Sequence, residues 1–359
     1  GTVHLSSKNA VRSGQPYHNL ITTRMAIIIM KQIVIAIISI AVVTITLLVD
    51  ESASFVLKQQ HQQPHTHHKN IIRNDRSTIM TMSALSSPPA VPVEKVIVLD
   101  DAETVGQAIR DIVTDAAKKA IDERGYFALA IPGGSLLKML SGDIQNKNEW
   151  TTKTIIAYVN HKCVPMDDIE LATHAKAKQL FLDSWGVDDY DDDEIDDGLH
   201  VIVMDGTNDG IKEATSYETK LKFLSTDKLP IDTTTGLPIF DLALIGVGDD
   251  GHIGSLYPNR DEVLVGSDST SCPWVLPVEM KEPPSITLSL PVMQNARQIV
   301  VAACGVSDKY PQGKSAGMKR AVSSTDETLQ TFPAIGLRES ATWVMDKAAA
   351  SALGDEYNN

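Results

Sequence analysis

The chain has 359 residues, of which 43% are hydrophobic and 22% are charged, a composition typical of a globular protein with a substantial core. This composition excludes a fibrous repeat and a chain that is disordered throughout. The 46 acidic residues outnumber the 32 basic ones, and the net charge of −14 argues against a nucleic-acid-binding surface spread over the whole molecule. Three cysteines, Cys163, Cys272 and Cys304, are too few and too far apart for a disulfide framework or a zinc site.

The first 92 residues differ from the rest in charge and composition. They carry a net charge of +5, whereas the remaining residues carry −19. Residues 32–49 form an uncharged apolar run that follows Arg12, Arg24 and Lys31, a pattern typical of a membrane-inserting segment. Its length lies between those of a secretory signal and a spanning anchor. A cleaved signal, an uncleaved anchor and a buried core helix are therefore three interpretations, of which we favour the cleaved signal.

The linker that follows the apolar run has no pattern of a folded domain. Residues 55–92 are rich in Gln, His, Ser, Thr and Pro and show no apolar period, which predicts an unstructured chain. The preceding Ser52-Ala53-Ser54-Phe55 resembles the two-part targeting leader of algae with complex plastids, in which Phe55 would open the transit peptide. We therefore expect residues 1–92 to be a targeting leader and disordered linker, and the protein to reach a plastid. A cytoplasmic or membrane-anchored protein is the alternative.

From residue 93 onward, short apolar runs alternate with amphipathic stretches. This alternation predicts one doubly wound α/β domain over residues 93–355, with a mostly parallel, Rossmann-like sheet and helices on both faces. The predicted strands cover residues 95–99, 126–131, 154–159, 200–204, 240–247, 285–290, 298–304 and 341–345. The predicted helices cover residues 101–124, 136–141, 174–185, 210–223, 315–322 and 346–353. The acidic run at 188–197 is expected to be a solvated loop, because it lacks the glycine and terminal glutamate of a calcium loop.

A glycine-rich turn follows the second predicted strand. Gly133, Gly134 and Ser135 stand where the strand passes into a helix. Ligands of parallel sheets gather at the carboxyl ends of strands, and glycines allow the backbone to approach a phosphate closely. The turn therefore predicts a phosphate-binding site. The alternative is a strand-to-helix turn that needs glycine only for a positive φ.

A second strand end combines carboxylates, an imidazole and glycines. Asp250 and His252 follow the apolar run 240–247 within a few residues. A carboxylate beside a histidine can hold the imidazole in one tautomer, as a base that takes a proton from water requires. The alternative is a loop histidine with a structural hydrogen bond.

Four motifs in order carry a resemblance to a known family. They are GGS at 133–135, GVGDDGHIGSLYP at 246–258, ITLSLPVMQNAR at 286–297 and WVMDKAA at 343–349. Together they resemble the 6-phosphogluconolactonase family, within the larger group that includes glucosamine-6-phosphate isomerase. The resemblance spans the predicted domain and excludes the leader.

The resemblance implies hydrolysis of 6-phosphoglucono-δ-lactone to 6-phosphogluconate in the oxidative pentose phosphate pathway, without a metal or cofactor. It implies that His252 is the general base and that Asp250 orients it. Backbone N–H groups of the surrounding glycine loop are expected to stabilise the oxyanion. The substrate and its phosphate are expected to bind at Gly133, Gly134, Ser135, Lys162, Gly251 and Lys314.

The sequence departs from the family pattern at three places. Asn160-His161-Lys162 stands where the family usually has Asp-Glu-Arg, and Ser285 replaces an arginine. Lys162 keeps a positive charge but cannot make the two-pronged contact of arginine with a phosphate. An insertion before Lys314 makes Lys309 a rival for its role.

Three other functions compete with the hydrolase. A sugar-phosphate isomerase or deaminase of the same group would need an aspartate at the position of Asn160 as its carbon base. A catalytically silent homologue that binds a sugar phosphate or a protein would explain the missing Asp, Glu and Arg, and a membrane-anchored scaffold is the third alternative. The expected partner is a small phosphorylated sugar lactone and not nucleic acid. We expect membrane contact only through an uncleaved leader, and a monomer or weak dimer.

Overall fold

The computed structural model describes residues 87–186, 199–266, 272–305 and 313–357. The predicted apolar segment 32–49, the acidic run 188–197 and Lys309 lie outside these ranges. Within the described ranges, every helix is too short or too polar to cross a bilayer.

The described residues contain ten strands, nine α-helices and short 3₁₀ helices. The strands are β1 (Val96–Leu99), β2 (Phe127–Ile131), β3 (Thr154–Tyr158), β4 (Asn160–Lys162), β5 (His200–Val201), β6 (Leu242–Gly246), β7 (Val275–Val278), β8 (Ser285–Leu288), β9 (Ile299–Ala303) and β10 (Ala341–Asp346). The α-helices are α1 (Ala102–Arg124), α2 (Ser135–Met139), α3 (Lys147–Trp150), α4 (Thr173–Ala177), α5 (Asp183–Trp185), α6 (Gly210–Phe223), α7 (Leu290–Gln294), α8 (Ser315–Ser323) and α9 (Lys347–Ala350). Short 3₁₀ helices cover Val93–Lys95, Thr151–Lys153, Asp261–Leu264, Pro333–Leu337 and Asp355–Tyr357.

Seven strands form the predicted parallel sheet. Their order is β1-β10-β9-β6-β2-β3-β5, and each neighbouring pair is parallel. Strands β2, β3 and β9 are buried along their whole length, because helices and loops cover both faces of a parallel sheet. The predicted α/β fold with a mostly parallel sheet is confirmed.

A second, antiparallel sheet differs from the prediction. It has three strands in the order β4-β8-β7, so the segment predicted as a strand over 285–290 lies outside the parallel sheet. The chain leaves the main sheet at Val159, whose carbonyl accepts a hydrogen bond from Leu288 N. Alternation of apolar residues indicates a strand but does not say which strand it pairs with, so the sequence could not separate the two sheets.

Most predicted helices form within a few residues of their predicted ends. Helix α1 begins after Asp101, whose carboxylate accepts from Thr104 N as a cap, and it ends at Gly125. The predicted helix over 174–185 contains a π-helical segment, Lys178–Leu182, between α4 and α5. The predicted strand over 200–204 is reduced to the two residues of β5.

The folded chain begins earlier than the predicted boundary at residue 93. Val91 is buried. Its N–H donates to Val322 O, and its carbonyl accepts a hydrogen bond from the hydroxyl of Tyr357. Arg338, which is 1% exposed, donates to Ser87 Oγ and Pro88 O. The same guanidinium also donates to the carbonyls of Arg320, Ala321 and Ser324. Residues 87–92 are therefore part of the fold and not of an unstructured linker.

Replacing Arg338 by methionine tests this junction. The Arg338→Met variant should lose about 3 kcal/mol of unfolding free energy, because several buried carbonyls lose their donor. Urea unfolding measures the loss. The matched control is Arg260→Met, since Arg260 is an exposed arginine paired with Glu262 and should change stability by less than about 0.5 kcal/mol. Equal stability of the two variants would show that residues 87–92 do not depend on Arg338.

Candidate active site

Three neighbouring strands of the parallel sheet end at one edge, and their loops form the candidate site. Strand β2 pairs with β3 on one side and with β6 on the other. The glycine turn (Gly133, Gly134 and Ser135) follows β2, Asn160 begins β4 directly after β3, and the histidine loop (residues 247–258) follows β6. Because the strands are parallel, all three loops emerge at the same edge of the sheet, where the carboxyl ends of the strands lie.

The carboxamide of Asn160 links the glycine turn to the histidine loop. Its Oδ1 accepts from Gly133 N at 3.4 Å, and its Nδ2 donates to Ser255 Oγ at 3.3 Å. Ser255 N in turn donates to the hydroxyl of Thr287 on β8 at 3.2 Å. The structure therefore brings together the two segments that the sequence singled out separately.

His252 and Asp250 form a close pair within the histidine loop. His252 Nδ1 lies 2.6 Å from Asp250 Oδ1, and the same oxygen accepts from His252 N at 3.2 Å. The His252 side chain is 23% exposed and that of Asp250 is 55% exposed. The hydrogen bond from His252 lowers the pKa of Asp250 to about 2, so its carboxylate is ionised at neutral pH. Among the described residues, no protein group bonds His252 Nε2, which leaves that nitrogen able to accept a proton.

Gly248 is required by this arrangement. A Cβ at that position would lie 2.1 Å from His252 Nδ1 and 2.7 Å from Asp250 Oδ1. Any side chain at 248 would therefore push the imidazole away from the carboxylate. Gly251 packs on the ring of Phe332, where a Cβ would lie 2.4 Å from the nearest ring atom.

Three backbone N–H groups around His252 bond within the loop itself. Gly248 N donates to His252 O, Gly251 N donates to Gly248 O, and His252 N donates to Asp250. The expectation that the glycine loop supplies oxyanion donors is therefore wrong for these three groups. Sequence spacing shows that a loop is rich in glycine but does not show which of its N–H groups bond one another.

The sequence left two interpretations of the glycine turn, a phosphate-binding site and a turn that needs glycine for a positive φ, and the turn has features of both. Gly134 has a φ of 84°, which favours glycine, so the turn itself requires this residue. Gly134 and Ser135 are also exposed, and no atom lies within 4 Å of the position where a Cβ would stand on Gly134. The turn therefore leaves open space beside its backbone.

Lys162 lies on the same strand as Asn160 and points away from the core. His161 between them is fully buried, whereas Lys162 is exposed, as alternation along a strand requires. Lys162 pairs with Ser285 of β8, so the two positions where the family usually has arginine are directly opposite each other. Lys162 therefore provides the positive charge at these two paired positions, since Ser285 is uncharged.

Residues 100–345 match the family model for glucosamine-6-phosphate isomerases and 6-phosphogluconolactonases. The chain belongs to this family. It is 32% identical over 213 residues to a probable 6-phosphogluconolactonase of Schizosaccharomyces pombe, which covers 58% of this chain and 78% of the relative. It is 27% identical over 275 residues to the chloroplastic 6-phosphogluconolactonase 3 of Arabidopsis thaliana, covering 72% and 75% of the two chains. A solved structure of 6-phosphogluconolactonase from Trypanosoma cruzi has a similar fold, with a TM-score of 0.55, 20% identity and coverage of 75% and 98%.

Lys314, which matches a lysine of the family pattern, is buried rather than open to solvent. It precedes α8 and is 7% exposed. Its ammonium donates to Val247 O, at the start of the histidine loop, at 2.8 Å. In the described structure Lys314 therefore supports the loop that carries His252.

A buried polar cluster beneath β4 was not predicted from the sequence. His161 Nδ1 donates to Lys162 O at 2.6 Å, and His161 Nε2 accepts from His174 N at 3.0 Å, so the ring is neutral with its proton on Nδ1. His174 Nδ1 lies 2.8 Å from the hydroxyl of Tyr158. Burial lowers the pKa of His161 to about 4. His161 stands where the family usually has glutamate, and this departure was the one signal in the sequence that pointed to the cluster.

The buried His161 predicts a loss of stability in acid. Between pH 6.5, the ordinary pKa of histidine, and pH 4, the unfolded chain binds a proton that native His161 does not bind, so unfolding becomes easier as the pH falls. Wild type should lose about 2 kcal/mol from this residue between pH 8 and pH 5. The His161→Gln variant lacks the titrating group and should lose that much less over the same range in urea unfolding. An identical pH dependence of the two proteins would contradict the assignment.

Proposed function

We propose that the protein hydrolyses 6-phosphoglucono-δ-lactone to 6-phosphogluconate, with His252 as the general base. The observation that supports this most is the His252–Asp250 pair at the carboxyl end of β6, linked through Asn160 to an exposed glycine turn. The named relatives from Schizosaccharomyces pombe and Arabidopsis thaliana are 6-phosphogluconolactonases, which agrees with this reaction.

The proposed reaction needs one group that takes and returns a proton. His252 Nε2 takes a proton from water as the water oxygen attacks the lactone carbonyl carbon. Asp250 accepts the proton on Nδ1 in a hydrogen bond, which fixes the tautomer and stabilises the imidazolium that forms. The tetrahedral intermediate then breaks the bond between the carbonyl carbon and the ring oxygen. The imidazolium returns its proton to that oxygen, and the new carboxylic acid ionises in solvent.

The phosphate of the substrate is proposed to bind between the glycine turn and Lys162. The turn offers open space beside Gly134, and the exposed Lys162 provides a positive charge on the face that it shares with Asn160. A phosphate does not change during ring opening, so its binding energy serves to position the lactone carbonyl at His252. We place Lys314 in a supporting role, because its ammonium is bonded to Val247 O.

The competing functions of the same family are less well supported. An isomerase needs a carboxylate as carbon base at position 160, and the Asn160 carboxamide has no proton affinity for that role. A silent binding protein would not need a histidine held in one tautomer with an open Nε2. The activity measurement below separates this last alternative from the hydrolase.

The location in the cell and the oligomeric state are further proposals. Chloroplastic relatives in Arabidopsis thaliana and rice agree with delivery of this protein to a plastid. The leader that would direct it lies outside the described residues. A monomer or weak dimer stays a prediction.

Substitution of His252 tests the proposal directly. His252→Asn should lower kcat/KM for the lactone by about 10²- to 10⁴-fold, the usual contribution of a general base. The rate is measured as lactone disappearance above that without protein. His200→Asn is a matched control, because His200 lies on the edge strand β5, and its activity should equal that of wild type.

A pair of glycine substitutions checks that geometry and not the imidazole alone matters. Gly248→Ala should lose activity because the methyl group displaces His252, whereas Gly246→Ala should keep it, since a Cβ there would meet only Leu136 at 3.7 Å.

Full activity of His252→Asn would end the general-base assignment. Wild type without lactonase activity would favour the silent homologue.

A further inference from the structure

The carboxylate of Asp250 bonds the His252 ring at Nδ1, and the backbone of Gly248 lies against the Nδ1 and Cε1 side of the ring. A ring bonded at Nδ1 can still swing about that contact, and a swing would move Nε2 away from the attacking water. A base must lie within hydrogen-bond reach of the proton that it takes. The site therefore needs a further contact on the imidazole.

The ring of Tyr257 makes that further contact. Its centroid lies 4.8 Å from that of His252, and the two planes are inclined at 34°. The chain between them folds back in a tight turn, in which Leu256 N donates to Ile253 O at 2.8 Å. This turn brings His252 and Tyr257, five positions apart in the same loop, into a tilted ring contact.

A lysine from another element holds the tyrosine in turn. The ammonium of Lys281 lies 3.8 Å from the ring centroid of Tyr257. Lys281 belongs to the connection between β7 and β8, so the contact ties the histidine loop to the antiparallel sheet. An ammonium over an aromatic face is attracted by the electrons of the ring, and this attraction restrains the ring.

We propose that Tyr257 is a positioning residue for His252 and that Lys281 holds Tyr257 in place. The two side chains form an aromatic clamp (Tyr257 and Lys281) that restricts the imidazole to the orientation in which Nδ1 meets Asp250 and Nε2 faces the substrate. The proposal rests on the proposed function, in which His252 is the base. Since the clamp acts on the base and not on the substrate, it affects kcat and leaves KM unchanged.

The chain contains a matched pair for control experiments. Tyr126 is also half-buried and carries the ammonium of Lys228 at 5.3 Å from its ring centroid, at the start of β2 on the opposite edge of the sheet. Tyr257→Leu and Lys281→Met remove the clamp, while Tyr126→Leu and Lys228→Met remove a similar contact far from the site. Tyr257→Phe keeps the ring and serves as the conservative variant.

Steady-state kinetics of the full-length protein tests the proposal. Tyr257→Leu should lower kcat about tenfold with KM within twofold of wild type, Lys281→Met should lower kcat by a smaller factor, and Tyr257→Phe should stay within twofold. The two control variants should match wild type. Unchanged kcat in Tyr257→Leu, or a raised KM with unchanged kcat in either clamp variant, would overturn the positioning role, since the latter marks a substrate contact.

Nuclear magnetic resonance of the His252 ring protons tests the clamp without an assay. The ring of Tyr257 should shift the carbon-bound imidazole protons upfield, and this shift should disappear in Tyr257→Leu and persist in Tyr257→Phe. A shift that survives in Tyr257→Leu would overturn the clamp. A wild type that lacks lactonase activity but shows the shift would contradict the proposed function and leave the clamp contact established.

Discussion

The parallel pairing of β2 with β3 and β6 is the constraint on which the site depends. Parallel strands deliver their carboxyl ends to one edge, so residues more than a hundred positions apart in the chain meet there. Asn160 then bonds the glycine turn on one side and Ser255 of the histidine loop on the other. An aspartate at 160 would lack this amide donor and could bond Ser255 only by accepting the proton of its hydroxyl.

Positively charged lysines lie near the site, whereas the chain as a whole is negatively charged. The chain carries a net charge of −14, yet exposed Lys162 lies on the strand face beside the glycine turn, and Lys281 lies over the ring next to His252. Local cations attract an anionic substrate even on an acidic protein, because solvent and salt screen distant charges within about 10 Å. The carboxylate of Asp250 is bonded to His252 Nδ1.

The sequence predicts the bounds of helices well where these bounds depend on local features, namely the spacing of apolar residues and the residues that cap the helix ends. Helix α6 has the predicted bounds, and α1 begins directly after its cap Asp101 and ends at Arg124, close to the predicted range 101–124. The pairing of β4 with β8 was not predictable, because three-residue strands have no period and their partners are distant in the chain. The N-terminal boundary was misplaced because the partners of Ser87 and Val91 lie more than two hundred residues away, at Arg338 for Ser87 and at Val322 and Tyr357 for Val91.

The candidate residues were predictable as types and positions, but their contacts were not. Motifs place His252 and Asp250 two residues apart, while the 2.1 Å approach that excludes a side chain at Gly248 is a property of the folded loop. The bond from Lys314 to Val247 O, made by a side chain that is 7% exposed, was likewise not predictable, because burial is decided by the whole fold. The histidine cluster beneath β4 joins residues 13 and 16 positions apart, a contact that no sequence period indicates.

A crystal structure of the protein with 6-phosphogluconate bound would show whether His252 and the glycine turn contact the two ends of one molecule. We expect the product carboxylate within hydrogen-bond distance, about 3 Å, of His252 Nε2, and the phosphate within the same distance of the glycine turn or Lys162 Nζ. A product bound in the reverse orientation, with its phosphate at His252, or bound away from the edge where β2, β3 and β6 end, would overturn the roles proposed for these residues.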